Sequence, residues 1–314
     1  MGTHLYYILK LLRPRQWIKN IALFAAITFG GMLFNVDSLN KVFLGFIAFC
    51  FLSSSTYIIN DLFDLQKDKL HPFKKSRPIA SGKVSVREAI IVFLIILAIS
   101  LFLAKTAGGW FLTIAILYFC LQILYSLVFK GVVIFDIFFI AIGYILRVLA
   151  GEVLTGFHIS VWLLLTTVSL SLFLAVGKRR SELTLLKNFS GGKIQQVRAS
   201  LSHYSESLLD AYITIFATST FMFYSLFTYL ENPHGIHIGL DILLPDYLPF
   251  YLQKKWLMIT IIPVLYGLMR YLQDIYEKKE GESPDRVLLS DKSLLTSVII
   301  WTVLVIIIIY YISS

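Results

Sequence analysis

The stretch VFLGFIAFCFLSSSTYIINDLFDLQKD, residues 42 to 68, decides how this chain is read. Val42 to Ile59 carries no charge, and its length is about that of a helix crossing a hydrocarbon core of roughly 30 Å. Asn60 to Asp68 then places oxygen-bearing side chains at the end of that helix. At about 100° per residue, Asn60, Asp61, Asp64 and Asp68 fall within an arc of roughly 100°. Their oxygens therefore share one face.

The rest of the chain matches the first half of this stretch. Its 314 residues are 57% hydrophobic and only 15% charged, with a mean hydropathy of +0.77, far too apolar for a soluble domain. The apolar runs predict an all-α integral membrane protein with nine transmembrane helices. These run from about Trp17 to Phe34, Val42 to Ile59, Ala89 to Ala104, Trp110 to Val128, Ile134 to Leu154, Val161 to Val176, Leu209 to Tyr229, Trp256 to Leu272 and Leu294 to Ile312. Before Trp17, Lys10, Arg13 and Arg15 alternate with Leu5, Ile8, Leu9 and Leu12, which predicts a short interfacial helix. Charge at the start and the lack of a small-residue cleavage site argue against a removable signal peptide.

With nine spans and the N-terminus inside, all but five of the 28 Lys and Arg residues fall on the cytoplasmic side, as the retention of basic loops there requires. Lys41, Lys105, Lys254 and Lys255 go outside, and Arg147 lies within a span. The net charge of +9 is thus mostly topology, and it also suits anionic lipid heads and phosphorylated substrates. Nucleic acid is the weaker reading of it. Cys50 and Cys120 fall inside spans, form neither a metal spacing nor a disulfide framework, and read as packing residues.

The long polar connections, residues 60 to 87 and 178 to 207, follow the second and sixth spans and share the cytoplasmic side. That spacing suggests two four-helix halves plus a ninth helix, within one domain over residues 1 to 314, with two loops capping a central cavity. Residues 231 to 255 hold Pro233, Gly235, Pro245 and Pro249 and read as an irregular outer loop.

An oxygen cluster at a membrane boundary is either a solvated helix end or a cation site. The all-oxygen set Asn60, Asp61, Asp64 and Asp68 suits Mg²⁺, which keeps waters and bridges to phosphates. His71-Pro72-Phe73-Lys74-Lys75-Ser76-Arg77-Pro78-Ile79-Ala80-Ser81-Gly82 follows at once. A metal-bound diphosphate between the two groups accounts for the juxtaposition, with Arg77 offering forked hydrogen bonds. Positive-inside topology alone would also supply Lys74 and Lys75.

The run from Asn60 to Gly82 resembles the first Asp-rich motif of the UbiA superfamily of intramembrane prenyltransferases, N-D-x-x-D-x-x-x-D followed by R-P-x-x-S-G. The resemblance extends over nearly the whole chain. It implies nine helices around a cavity that opens laterally to lipid, with loops after the second and sixth helices capping a diphosphate site. Asp64, Asp68 and Arg77 are then the candidate catalytic residues, and Asn60, Asp61, Asp64 and Asp68 the candidate metal ligands.

This chain departs from the superfamily after its sixth span. Where ordinary members carry a second Asp-rich motif, it has Gly177-Lys178-Arg179-Arg180-Ser181-Glu182-Leu183, basic with one carboxylate. It is similar in this to the decaprenyl-phosphate phosphoribosyltransferase branch, which takes phosphoribosyl diphosphate as donor and a polyprenyl phosphate as acceptor. Further similarity lies in Arg13 to Asn20, in Tyr125-Ser126-Leu127 with Lys130, and in Asp136 through Gly143, Arg147, Ala150 and Gly151.

Such a donor needs metal-binding carboxylates at its diphosphate and cations at its C5 phosphate, for which Lys178, Arg179 and Arg180 are candidates. A stop-transfer charge run is the alternative reading of those three. Arg147 lies about 16 Å along its helix from Asp136, near mid-membrane, where a charge needs a partner. It either points into the cavity and holds a phosphate or pairs structurally, for instance with Glu152. Asn60, Lys74, Lys75, Tyr125, Lys130, Asp136, Arg147, Lys178, Arg179, Arg180 and Glu182 make up the expected substrate-binding set.

These readings lead to a Mg²⁺-dependent phosphoribosyl transfer to a polyprenyl phosphate, in the plasma or inner membrane with the active-site loops cytoplasmic. An oligomer is compatible with it. A conventional prenyltransferase acting on an aromatic or haem-type acceptor would need an acidic cluster after the sixth span. A transporter of phosphorylated lipids would place its polar site near the midplane.

Overall fold

The computed structural model describes residues 2–70, 74–189, 199–231, 255–278 and 284–312. Among them there is no strand, and eight helices are long and apolar enough to cross a membrane. The expected interfacial helix is α1, Gly2–Leu12. It buries Leu11 and leaves Leu5 and Leu9 exposed, the division of faces an interfacial helix needs.

The first of the nine expected spans is not one regular α-helix. Residues 14–24 form a 3-10 helix, Pro14–Phe24, and only Ala25–Phe29 (α2) is α-helical. A 3-10 run of this length is uncommon. Here side chains stitch it to the next helix: Trp17 Nε1 donates to Ser54 Oγ at 3.0 Å and Asn20 Nδ2 to Ser53 Oγ at 3.0 Å. Gly151 lets the Leu23 backbone approach so closely that a Cβ there would lie 2.0 Å from the Leu23 carbonyl oxygen.

α3, Val36–Phe63, is capped by the Asn35 side chain. Ser54, Ser55 and Thr56 bond back to carbonyls three or four residues earlier at 2.7 to 2.8 Å, satisfying hydroxyls where lipid offers no partner. Asp64 closes α3, and α4, Leu65–Leu70, follows. The amides of Asp64 and Asp68 still bond to the carbonyls of Asn60 and Asp64 at 2.9 and 2.8 Å. The helical phase thus carries through the break.

α5 is Val86–Ala107, α6 is Gly109–Leu127, α7 is Phe135–Thr155, α8 is Val161–Phe189 and α9 is Glu206–Leu230. α10, Ile261–Gln273, and α12, Lys292–Ile307, finish the bundle, with the short α11, Pro284–Ser290, between them. α3 lies along α5, α8 along α9, and α7 touches α6, α8, α3 and the 3-10 helix. The bundle closes where Leu33 N donates to Tyr310 Oη at 2.8 Å and Tyr310 Oη donates to the Ile27 carbonyl at 3.0 Å.

At about 1.5 Å per residue, the 29 residues of α8 span more than a 30 Å hydrocarbon core. The expected second cap loop therefore begins as helix: Lys178 to Phe189 prolongs α8, while residues 190–198 lie outside the described residues. His71, Pro72, Phe73 and most of the outer loop, residues 232–254, lie outside them too.

Candidate active site

A cavity of about 350 Å³ opens among the 3-10 helix, α3, α6, α7 and α8. Asn60 and Asp64 reach it from the end of α3, Lys130 from the turn after α6, and Lys178 and Glu182 from the end of α8. Ile140, Tyr144 and Arg147 descend along α7, so Arg147 lies deepest in the span, and Lys74 and Arg77 come from the loop after α4.

The carboxylates at the end of α3 are each met by a cation. Arg13 Nη2 bonds both oxygens of Asp61 at 2.6 Å. Arg77 Nη1 joins Asp61 at 2.9 Å and Asp68 at 2.6 Å, and Lys130 Nζ bonds Asp64. Arg13 adopts the left-handed region, φ 53°, just before Pro14, a strain that places its guanidinium here. Burial lowers the Arg13 pKa, but the Asp61 carboxylate more than offsets this and holds it above its ordinary value. Burial, opposed by Arg77 and assisted by the nearby carboxylates Asp61 and Asp64, holds the Asp68 carboxyl above its usual range.

Of the four expected metal ligands, Asn60 and Asp64 line the cavity, while Asp61 and Asp68 are buried behind it on arginines. Among the described residues no three His, Cys, Asp or Glu side chains converge as a metal cluster. A buried carboxylate without a cation is costly, and Arg13 and Arg77 lie within reach of these two.

The basic run on α8 divides three ways. Lys178 lines the cavity, as does Lys19 of the 3-10 helix. Arg179 is fully buried behind the wall, 3.0 Å from Asp136, paired with Glu182 and 3.1 Å from Tyr125 Oη. Arg180 turns to α9, 2.8 Å from Asp210 and 2.9 Å from Glu206. Asp136 is likewise buried and accepts a bond from Tyr204 Oη at 2.9 Å. Lys75 is exposed off the cavity. Tyr125 lines it.

Arg147 is paired, though not with Glu152. Its Nε donates to Asn20 Oδ1 at 2.7 Å, Nη1 to the Gly143 carbonyl at 2.6 Å and Nη2 to Tyr118 Oη at 2.7 Å. Glu152 meets His158 instead, at 2.7 Å. An arginine carries five N–H donors, so these three bonds leave capacity for a ligand in the cavity it lines.

Sequence reasoning assigned no site role to Arg13, Gln16, Lys19, Tyr57, Tyr118, Gln122 or Tyr144, all on the cavity wall. A signal was present: Tyr118, Gln122 and Tyr125 recur at helical spacing along an otherwise apolar span.

Comparison with known proteins gives the family and the fold. Residues 22–178 match the UbiA prenyltransferase family. Decaprenyl-phosphate phosphoribosyltransferase of Corynebacterium glutamicum is 33% identical over 96% of this chain and 86% of its own length. The protein of the same description from Mycolicibacterium smegmatis is 33% identical over 94% of this chain and 89% of its own. Among solved structures, a UbiA homolog from Archaeoglobus fulgidus bound to GPP and Mg²⁺ superposes with a TM-score of 0.67 at 19% identity, over 96% of this chain and 99% of that one.

Proposed function

The chain belongs to the UbiA prenyltransferase family, and on that premise we propose that it transfers 5-phosphoribosyl from 5-phosphoribosyl 1-diphosphate to a polyprenyl phosphate of decaprenyl type. Diphosphate leaves, and a lipid-linked phosphoribose remains. The relatives that cover nearly the whole chain support a multi-pass membrane transferase.

The charge of the cavity wall carries the choice of donor. Among the described residues, Arg13, Lys19, Lys74, Arg77, Lys130, Arg147 and Lys178 line it against Asp64 and Glu182. A prenyl diphosphate with a neutral acceptor brings a single diphosphate. Phosphoribosyl diphosphate with a polyprenyl phosphate brings a diphosphate and two monophosphates, the load that an excess of cations suits.

A divalent metal fits the donors at the mouth. Mg²⁺ needs only one or two protein oxygens beside waters and substrate phosphate, and Asn60 and Asp64 offer an amide oxygen and a carboxylate to the cavity. Mg²⁺, when bound there, stabilises the charge of the departing diphosphate. Asp61 and Asp68 then act through Arg13 and Arg77, setting the guanidinium planes.

Lys74, Arg77 and Lys130 give charge-assisted hydrogen bonds to diphosphate oxygens. Lys178 receives the C5 phosphate, and Arg147, bonded to Asn20, Gly143 and Tyr118, closes the deep end of the cavity. The acceptor phosphate is already an anion, so no strong general base is required. Catalysis is then positioning and electrostatic stabilisation as C1 gains oxocarbenium character, with inversion expected for attack opposite the leaving group. The apolar tail lies along the spans with its phosphate at the mouth, on the cytoplasmic side of the plasma membrane by the distribution of basic residues.

Incubating the purified protein with Mg²⁺, phosphoribosyl diphosphate and decaprenyl phosphate, then analysing the lipid extract by mass spectrometry, tests the reading. The lipid-linked phosphoribose is expected. Its absence, alongside turnover of a prenyl diphosphate with an aromatic acceptor, would overturn the donor assignment.

A further inference from the structure

We propose that Lys130 is a built-in counter-cation that occupies Asp64 until a divalent ion displaces it, so that metal and diphosphate enter this site as one unit and neither binds well alone. The inference rests on the metal–diphosphate reading above and adds to it a specific exchange.

The carboxylates at the end of α3 are unequally held. Asp61 is clamped through both oxygens by Arg13 and shares Arg77 with Asp68. Opening either of those pairs disturbs several bonds at once. Asp64 lines the cavity, is 7% exposed, and is met by the ammonium of Lys130. Lys130 belongs to a single 3-10 turn, Phe129–Gly131, between α6 and α7. A lysine is a compact charge on a flexible stem, whereas an arginine fork is committed to fixed directions. Of the cations on these carboxylates, Lys130 is the one built to swing.

A divalent ion cannot share Asp64 with Lys130 cheaply, because two like charges would then lie a few ångströms apart in a site partly shielded from water. The displaced ammonium would face a wall bearing Lys74, Arg77 and Lys178, which repels it. A diphosphate bridging to the metal removes that difficulty, since its remaining oxygens accept Lys130. Diphosphate arriving without metal meets the opposite obstacle: Lys130 is engaged and Asp64 repels the anion. Each ligand thus prepares the site for the other, and the coupling must be reciprocal. Charge stays compensated in both states, as partly buried ions require.

Mn²⁺ serves as a paramagnetic substitute for Mg²⁺, its binding to the purified protein in detergent followed by electron paramagnetic resonance without substrate. Lys130→Met is expected to bind Mn²⁺ about tenfold or more tightly than the wild type, while Lys130→Arg stays within about twofold of it. Lys130→Gln, a second variant in case the first folds poorly, is expected to follow Lys130→Met. With Mn²⁺ saturating, calorimetry is expected to show phosphoribosyl diphosphate binding Lys130→Met about tenfold or more weakly. Tighter metal with weaker donor is a pair of opposite changes that a merely structural lysine would not produce. Unchanged Mn²⁺ affinity in Lys130→Met and Lys130→Gln, or weakening of both ligands together, overturns the exchange. Asp64→Asn separates the two layers of argument. If it weakens Mn²⁺ while Lys130→Met does not tighten it, only the exchange fails. If it leaves Mn²⁺ affinity unchanged, the metal assignment fails and takes the exchange with it.

Discussion

Replacing Arg179 with Met is expected to destabilise the protein, although Arg179 is part of the run whose charge invites a phosphate-binding reading. The guanidinium is fully buried and faces Asp136, also fully buried, at 3.0 Å, with Glu182 as its second carboxylate. Removing one partner of a buried ion pair leaves the other charge uncompensated and costs about 3 to 5 kcal/mol. Asp136 carries most of that cost, because Glu182 borders the cavity and water can reach it. At roughly 2 °C per kcal/mol for a chain of this size, the apparent melting temperature in detergent should fall by about 6 to 10 °C. Fluorescence-detected size exclusion after a heating series measures this. Adding Asp136→Asn, which removes the stranded charge, should restore part of the loss, as coupled neighbours do. A variant that melts within about 2 °C of the wild type yet loses phosphoribosyl diphosphate binding would refute the reasoning and return Arg179 to the ligand.

Lys178→Met, one residue away, should behave in the opposite way: melting unchanged, and phosphoribosyl diphosphate affinity reduced by about 1.5 to 3 kcal/mol, the worth of a charge-assisted hydrogen bond, as calorimetry would record. A donor analogue lacking the C5 phosphate should bind the wild type poorly and show almost no further loss on this variant. Tyr204→Phe removes the bond to Asp136 and leaves the Ile134 amide, 2.6 Å from the Tyr204 oxygen, without its acceptor, at a cost of about 1 to 3 kcal/mol visible in the same heating series. Asp64→Asn should abolish turnover while the protein remains monodisperse, and EDTA should stop the wild-type reaction until Mg²⁺ is restored. Near wild-type rates in Asp64→Asn at saturating Mg²⁺ would remove Asp64 from the metal site.

Much of this was legible in one dimension because lipid imposes simple rules. A helix that crosses it must be long and apolar, so the spans from Val36–Phe63 onward could be read from composition alone. The oxygen face of Asn60, Asp61, Asp64 and Asp68 follows from helical phase, which persists through the break at Asp64. The basic segment on α8, where the superfamily carries acid, is a local fact of sequence, and it is one ground for the donor proposed above.

Partner choice was not legible, because a charge in a low-dielectric interior is settled by whichever opposite charge the fold brings within a few ångströms. Successive residues on a helix point about 100° apart, so Lys178, Arg179 and Arg180 had to face three environments. Only the packing of α7 and α9 gave Arg179 to Asp136 and Arg180 to Asp210, leaving Lys178 to the cavity. Arg147 likewise found Asn20 across 127 residues of chain rather than Glu152 nearby. Residues 14–24, at the start of the expected first span, form a 3-10 helix that Ser53 and Ser54 of α3 and the absent side chain of Gly151 on α7 are there to receive. Periodicity within a segment reports which side chains share a face. What that face meets is decided by segments far away in sequence, whose approach only the folded chain defines.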